Sequence, residues 1–336
     1  MPLPINPNVL AVRFSSIGDI LLTTPLLRAI RRRHPDSRIT FVTKEEYVPL
    51  LNHNPHITRV IGLAADRSLR DLAAELRQER YTHRLDLHGS LRSVALRALV
   101  PGGWSTYPKY RVARAMLIRS KRDYYRDRRS VAERYFAAAT DLDVVPDGGP
   151  PDFVLGPEAE REGDEWLSGS GLSPERRMVA LAPGAAHATK QWPPDHWYQL
   201  IGRVLTAGYN AVIVGGPSDQ TLGASLADRP GVASAAGMLR LQASAALLRR
   251  SVGVVSGDTG VMHMATAVGT PVVALFGPTV RAFGFAPYTS RARVVELDLS
   301  CRPCSSQGGP RCPLGHHRCL IDIAPALVYD TLQQSI

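Results

Sequence analysis

The sequence predicts an α/β protein of two doubly wound parallel sheets, one in each half of the chain. Three observations predict it. Short apolar, β-branched runs alternate with amphipathic helical stretches from residue 8 to residue 276, which is the pattern of βαβ units rather than hairpins. A cluster of Pro, Gly and Asp, DLDVVPDGGPP at 141–151, interrupts the alternation near the middle and reads as a linker. The length, 336 residues, also exceeds one ordinary domain. The expected division is a first domain over 1–150, a second over 151–324, and a C-terminal helix in 325–336 that packs back on the first.

The elements follow in order. NVLAVRF (8–14) reads as a buried strand and SSIGD (15–19) as a turn; 20–33 is a helix with Ile20, Leu21, Leu26, Leu27 and Ile30 apolar. RITFVT (38–43) is a second strand, with a short helix near 45–51. ITRVIGL (57–63) is a third strand, followed by an amphipathic helix over 66–79. THRLDLHG (82–89) is a fourth strand with a polar end, and a helix starts at about Ser90. Past Tyr107 the chain reads as basic helices. After the linker come helix 157–168, strand MVALAPG (178–184), helix 195–207, strand NAVIVGG (210–216), helix 218–227, a short strand near 232–236, helix 241–250 and strand 252–256. The turn SGDTG (256–260) leads into a helix from Val261 to Val268, stopped by Gly269, Thr270 and Pro271. VVALF (272–276) has the unbroken apolar look of a buried parallel strand. The last helix spans 325–334.

With 44% hydrophobic and 21% charged residues the chain buries ordinary cores and has no disordered signature. MPLPINPN has neither the basic start nor the apolar core of a signal peptide. The longest stretch without Asp, Glu, Lys or Arg, 259–280, breaks into helix, turn and strand, which argues against a membrane span. The net charge of +10 is unevenly placed. Residues 1–150 hold 25 Lys/Arg against 15 Asp/Glu, while 151–336 hold 15 of each. Its densest part, 109–134, carries ten basic and three acidic residues. Such a field attracts a polyanionic substrate or an anionic membrane surface; no nucleic-acid module accompanies it. A solvated helix face in an arginine-rich chain is the plainer reading.

In open α/β sheets ligands bind beyond the carboxyl ends of the strands, and four constellations fall there or just past them. SSIGD has one glycine, Gly18, where a dinucleotide site needs three, and the second strand ends in Thr43 and Lys44, so NAD is not expected. Asp19, with Ser16 beside it, is either a plain helix cap stabilising by about 1 kcal/mol or an ionised carboxylate that takes a proton from a sugar hydroxyl. Asp258, Thr259 and Gly260 sit on a strand-to-helix turn whose N–H groups suit a phosphate, with His263 one turn further in. An ordinary capped helix with a core histidine remains the alternative. Lys190, in PGAAHATKQWP after Gly184, is one of four lysines and supplies a point charge for a diphosphate. In GGPSD (215–219), Gly216 permits close approach and Asp219 suits a ribose hydroxyl. Finally, Cys301, Cys304, Cys312 and Cys319 are clustered in CRPCSSQGGPRCPLGHHRC. Without an export signal they point to a structural zinc more than to disulfides, with reduced packing thiols as the other reading.

Asp19 in VLAVRFSSIGDILLTTPLLRAI, Lys190 in TKQWP, GGPSD, and SGDTGVMHMATAVGTPVVALFGPT together resemble family 9 glycosyltransferases, the bacterial ADP-heptose:lipopolysaccharide heptosyltransferases. The tail CPLGHHRC looks most like the heptosyltransferase II branch. The resemblance implies a GT-B architecture, two Rossmann-like doubly wound domains facing across a cleft, the second holding the donor nucleotide. It implies inverting transfer from ADP-L-glycero-D-manno-heptose to the inner core of lipopolysaccharide, with no catalytic cofactor. Carried over, Asp19 is the general base and Lys190 balances the leaving diphosphate. Thr259 and Gly260 offer N–H groups, ordered by Asp258 and His263, and the ribose contact falls near Asp219 or Gln220. Hydroxyl residues that some family members carry before the lysine are Ala185 and Ala186 here, leaving backbone groups or Thr189 to substitute. The acceptor is a polyanion at the cytoplasmic face of the inner membrane, and His88 and Arg92 are its expected contacts. Two alternatives stay open: a nucleotide-sugar epimerase of the same fold, or a non-catalytic basic protein that binds polyanions or membranes.

Overall fold

A computed structural model describes residues 6–336. The chain divides into two compact units. Unit 1 runs to Lys109 and resumes over Arg129–Val154; unit 2 comprises Tyr110–Arg128 and Leu155–Ile336.

Unit 1 is a five-stranded sheet in the order β3-β2-β1-β4-β5, made of β1 (Asn8–Val12), β2 (Arg38–Lys44), β3 (Arg59–Leu63), β4 (His83–Asp86) and β5 (Ser105–Thr106). Every pairing is parallel. The core gathers Leu10, Val12, Phe14, Val42 and Ile61 from the sheet with Leu72, Leu76 and Leu96 from the helices Leu69–Leu76 and Leu91–Leu99. The expected helix 20–33 is two helices, Ile17–Leu21 and Thr24–Arg33, the second with proline in its first turn. Ser68 and Ser90 cap the helices that follow them, each accepting the N–H three residues on, as N-cap serines do.

The stretch read as a linker is strapped to this unit. Arg28, buried in the helix Thr24–Arg33, grips Asp147 with two hydrogen bonds of 2.8 and 2.9 Å and Asp152 with one of 2.6 Å. The Arg28 pairing lowers the Asp147 carboxyl to about 2.

Unit 2 is a six-stranded sheet in the order β11-β10-β9-β6-β7-β8. Its strands are β6 (Met178–Ala182), β7 (Asn210–Ile213), β8 (Val232–Ser234), β9 (Gly253–Gly257), β10 (Val272–Phe276) and β11 (Ala292–Glu296), again all parallel. β6, β9 and β10 are buried along their whole length, as a sheet covered on both faces requires. The helix read as Val261–Val268 is Gly260–Ala267. β5 and β11 were not foreseen: β5 is two residues long, and β11 is an edge strand with only Val295 buried.

The last helix, Pro325–Gln333, packs within unit 2, on the helix Pro194–Thr206 and on β9 and β10, with Val328 and Leu332 buried in that core. The basic residues 110–128 group with unit 2 although they precede the linker, because Leu117 and Tyr125 find their apolar partner in Phe283.

Candidate active site

In unit 1 the register sets the site. Val12 lies level with Val42 and Asp86, so the residues after β1 meet the turn after β4. Asp86, fully buried, folds that turn: one oxygen accepts the N–H of His88 at 3.0 Å and of Gly89 at 2.7 Å, and the other accepts the Ser93 hydroxyl at 3.1 Å. The His88 ring is thereby brought to the residues just past β1, where Nδ1 accepts the Phe14 N–H at 3.2 Å. That bond places the ring proton on Nε2. Burial first, then the charges of Arg13 and Lys109, lower His88 to about 4, so it is a neutral donor at ordinary pH.

Asp19 lies in the helix Ile17–Leu21, three residues past the capping position held by Ser16. Arg13 faces it, its NH2 atom 2.6 Å from Oδ1, and the Ser16 hydroxyl donates to Oδ2 at 2.9 Å. Arg13 is the residue that sequence reasoning missed. It is 6% exposed, and its other donors reach the carbonyls of Ser15 at 2.7 Å and Leu87 at 2.8 Å. Tyr107 and Tyr135, stacked edge to face at 4.6 Å, close around it. The positive charge that Asp19 faces is thus a fixed guanidinium more than the dipole of a five-residue helix. Of the other expected contacts, Gly18 is buried inside that helix and Arg92 is exposed in the first turn of Leu91–Leu99.

In unit 2 the ends of four adjacent strands are level. Ala182 pairs with Ser256, Leu275 with Gly257 and Leu181 with Ile213, so the residues following them share one edge of the sheet. Lys190 Nζ donates to Asp258 twice, to Oδ2 at 2.7 Å and to the backbone oxygen at 3.0 Å. Thr279 donates its hydroxyl to the same Oδ2 at 2.7 Å. A side chain on Gly257 would meet the Lys190 carbonyl at 3.1 Å, so glycine is what lets the two loops close up. Thr259 is the N-cap of the helix Gly260–Ala267, and His263 is buried one turn in. Beside them, Asp219 leans into room that only glycines leave. A Cβ on Gly184 would lie 2.1 Å from its carboxylate and one on Gly215 2.6 Å, while Gly216 donates its N–H at 2.9 Å. Gln220 is exposed at the start of the next helix.

Thr189 does not substitute for the hydroxyls lacking at Ala185 and Ala186. It is buried, its hydroxyl donating to the Gly309 carbonyl at 3.1 Å and accepting the Gly309 N–H at 2.8 Å, and its carbonyl lies 2.9 Å from His317 Nε2. The cysteine-rich segment therefore buttresses the Lys190 loop. The four cysteines are free thiols, and among the described residues no three His, Cys, Asp or Glu side chains are set to hold a metal. Burial first, and then the neighbouring cysteines, raise Cys304 and lift Cys319 to about 11.

Two doubly wound parallel sheets that match solved heptosyltransferases over nearly the whole chain make this a glycosyltransferase of the GT-B class. A model of glycosyltransferase family 9 (heptosyltransferase) matches residues 69–313, and the chain belongs to that family. Lipopolysaccharide heptosyltransferase 2 of Escherichia coli K12 is 27% identical over 350 residues, 97% of either chain. The solved E. coli ADP-heptose lipopolysaccharide heptosyltransferase II superimposes with a TM-score of 0.75 at 25% identity, covering 97% of this chain and 98% of that one. An E. coli heptosyltransferase solved with ADP-2-deoxy-2-fluoro heptose shares the fold, with a TM-score of 0.71 at 21% identity over 98% of this chain and all of that one. Among the described residues no helix is long and apolar enough to cross a membrane.

Proposed function

We propose that the chain transfers a heptose from ADP-L-glycero-D-manno-heptose to the inner core of lipopolysaccharide, with inversion at the anomeric carbon, on the cytoplasmic surface of the inner membrane. The observation that carries the reading is the Arg13–Asp19 pair, a carboxylate held 2.6 Å from a buried guanidinium just past β1. Asp19 takes the acceptor hydroxyl's proton as that oxygen forms its bond to the anomeric carbon. The bond from that carbon to the diphosphate breaks, and the negative charge appearing on ADP meets Lys190 and the N–H groups of Thr259 and Gly260. Asp258 and Thr279 aim Lys190, and His263 packs behind the turn. The nucleoside end falls on Gly184, Gly216 and Asp219.

The surroundings of Asp19 suit an anionic acceptor. Arg13 and Lys109 supply positive charge, and neutral His88 supplies a hydrogen-bond donor. Ser16 and Gly18 shape the turn, and Arg92 extends the basic surface. The relatives' printed names support the substrates: the E. coli protein is a lipopolysaccharide heptosyltransferase, and the solved one acts with ADP-heptose. The test is ADP release from ADP-heptose with a heptose-deficient lipopolysaccharide acceptor, followed by NMR of the product. An anomeric configuration opposite to the donor's is expected. Retention, or free epimer without transfer, would overturn the reading.

A further inference from the structure

The segment 110–128 has one face that the transfer chemistry leaves unused. Its inner side is bolted to unit 2: Leu117 and Tyr125 pack with Phe283. Arg114 lies over the rings of Phe283 and Phe285 at 5.3 and 5.6 Å. Lys121 Nζ donates to the carbonyls of Cys301 at 2.9 Å and Pro303 at 2.6 Å. The outer side of the helix Arg111–Ser120 is apolar where it should be polar. Val112 is 78% exposed, Met116 37% and Tyr124 52%, and together they line a concavity of about 660 Å³ rimmed by Arg111 and Arg126. Seven Lys and Arg stand in 110–128 against two acidic residues. Both acids are engaged, Asp123 with Arg128 at 2.7 Å and Asp127 with the Tyr110 hydroxyl at 3.3 Å.

We propose that this face docks on an anionic lipid bilayer, with Val112, Met116 and Tyr124 entering the boundary between headgroups and acyl chains. The inference deepens the transferase reading, whose acceptor is lipid-borne, by naming the surface that meets the lipid. An exposed apolar cluster ringed by arginines on a firmly anchored helix matches what an interfacial helix requires: apolar side chains inward, guanidiniums level with the phosphates. Charge complementarity selects the occupant. The segment's net charge suits an anionic leaflet, whereas a second copy related by a two-fold axis would set arginines against arginines.

The experiment is co-sedimentation of the full chain with phosphatidylethanolamine–phosphatidylglycerol vesicles and with phosphatidylcholine vesicles. It uses wild type, a Val112→Ser/Met116→Ser/Tyr124→Ser variant and an Arg119→Gln/Arg122→Gln/Arg126→Gln variant. Wild type should pellet with the anionic vesicles and far less with the neutral ones. The serine variant should lose at least about tenfold in partitioning at every salt concentration, since three side chains no longer leave water. The glutamine variant should lose most at low salt. Both variants should keep the wild-type melting temperature and turn over a deacylated, water-soluble acceptor at the wild-type rate. Serine-variant binding equal to wild type, no wild-type binding, or a wild-type dimer that the serine variant dissolves would each overturn the proposal. Absence of wild-type turnover on the soluble acceptor would instead count against the transferase reading and leave the vesicle result standing.

Discussion

Two strand-end turns, one in each unit, set a carboxylate against a cation at nearly the same distance: 2.6 Å for Arg13–Asp19 and 2.7 Å for Lys190–Asp258. They differ in what holds the cation. Arg13 is buried and spends its donors on Ser15 and Asp19 in its own stretch of chain and on Leu87, 74 residues away. It has nowhere else to go. Among the described residues the Lys190 ammonium bonds only Asp258, at the end of a four-carbon stem, and Asp258 is itself held by Thr279. A rigid cation suits a carboxylate that must stay ionised in one place; a swinging one suits a diphosphate whose charge grows as it leaves.

The comparison can be broken in order of expected effect. Removing the base should matter most: Asp19→Ala should slow transfer by about a thousandfold, within the usual range for a positioned acid–base group, read in a single-turnover assay. Next is the fixed cation. Arg13→Met takes the guanidinium away from Asp19, and should lower unfolding stability by about 2 kcal/mol by denaturant titration. That lies below the usual range for breaking a buried pair, because the Asp19 side chain is 18% exposed. A melt identical to wild type would show that the guanidinium is not clamped. Lys190→Ala should weaken ADP binding by roughly tenfold, a charge-assisted contact's worth, and should also lower stability, because it breaks a pair whose carboxylate is 10% exposed; lost stability with unchanged ADP binding would make the lysine a structural pin.

His88 sharpens the picture through pH. Its folded value of about 4 lies below the ordinary histidine value, so the folded state resists protonation. The stability this withholds is intact above pH 6.5 and drains as pH falls toward 4. Carbon shifts of the His88 ring should titrate near 4, and a midpoint near 6.5 would mean the ring is solvated. The smallest effect belongs to the buttress: His317→Ala should loosen the Lys190 loop and cost less ADP affinity than Lys190→Ala itself.

Much of this was legible in the chain. Strand–turn–helix sequences put Asp19, Asp258, Lys190 and Asp219 at carboxyl-terminal edges of sheets because apolar runs ending in polar turns leave few other placements. Arg13 was not legible. A charged residue ending an apolar run reads as an interruption, and its burial depends on Leu87 and Tyr107, more than seventy residues away. The cysteine spacing suggested a metal, whereas the segment's hold on the Lys190 loop runs through Gly309 and His317, which no spacing rule marks. The amphipathic pattern of 110–128 announced a helix but could not say that Phe283 would receive its apolar face. The short edge strand β5 and the largely exposed β11 carry too few buried residues to stand out.

The most direct test of the division of labour is the affinity for ADP, measured by calorimetry on Asp19→Ala and Lys190→Ala side by side. The expected result is a dissociation constant within about twofold of wild type for Asp19→Ala and raised roughly tenfold or more for Lys190→Ala. Equal losses in the two variants, or unchanged binding in Lys190→Ala, would contradict the assignment of acceptor chemistry to the first turn and of the leaving nucleotide to the second.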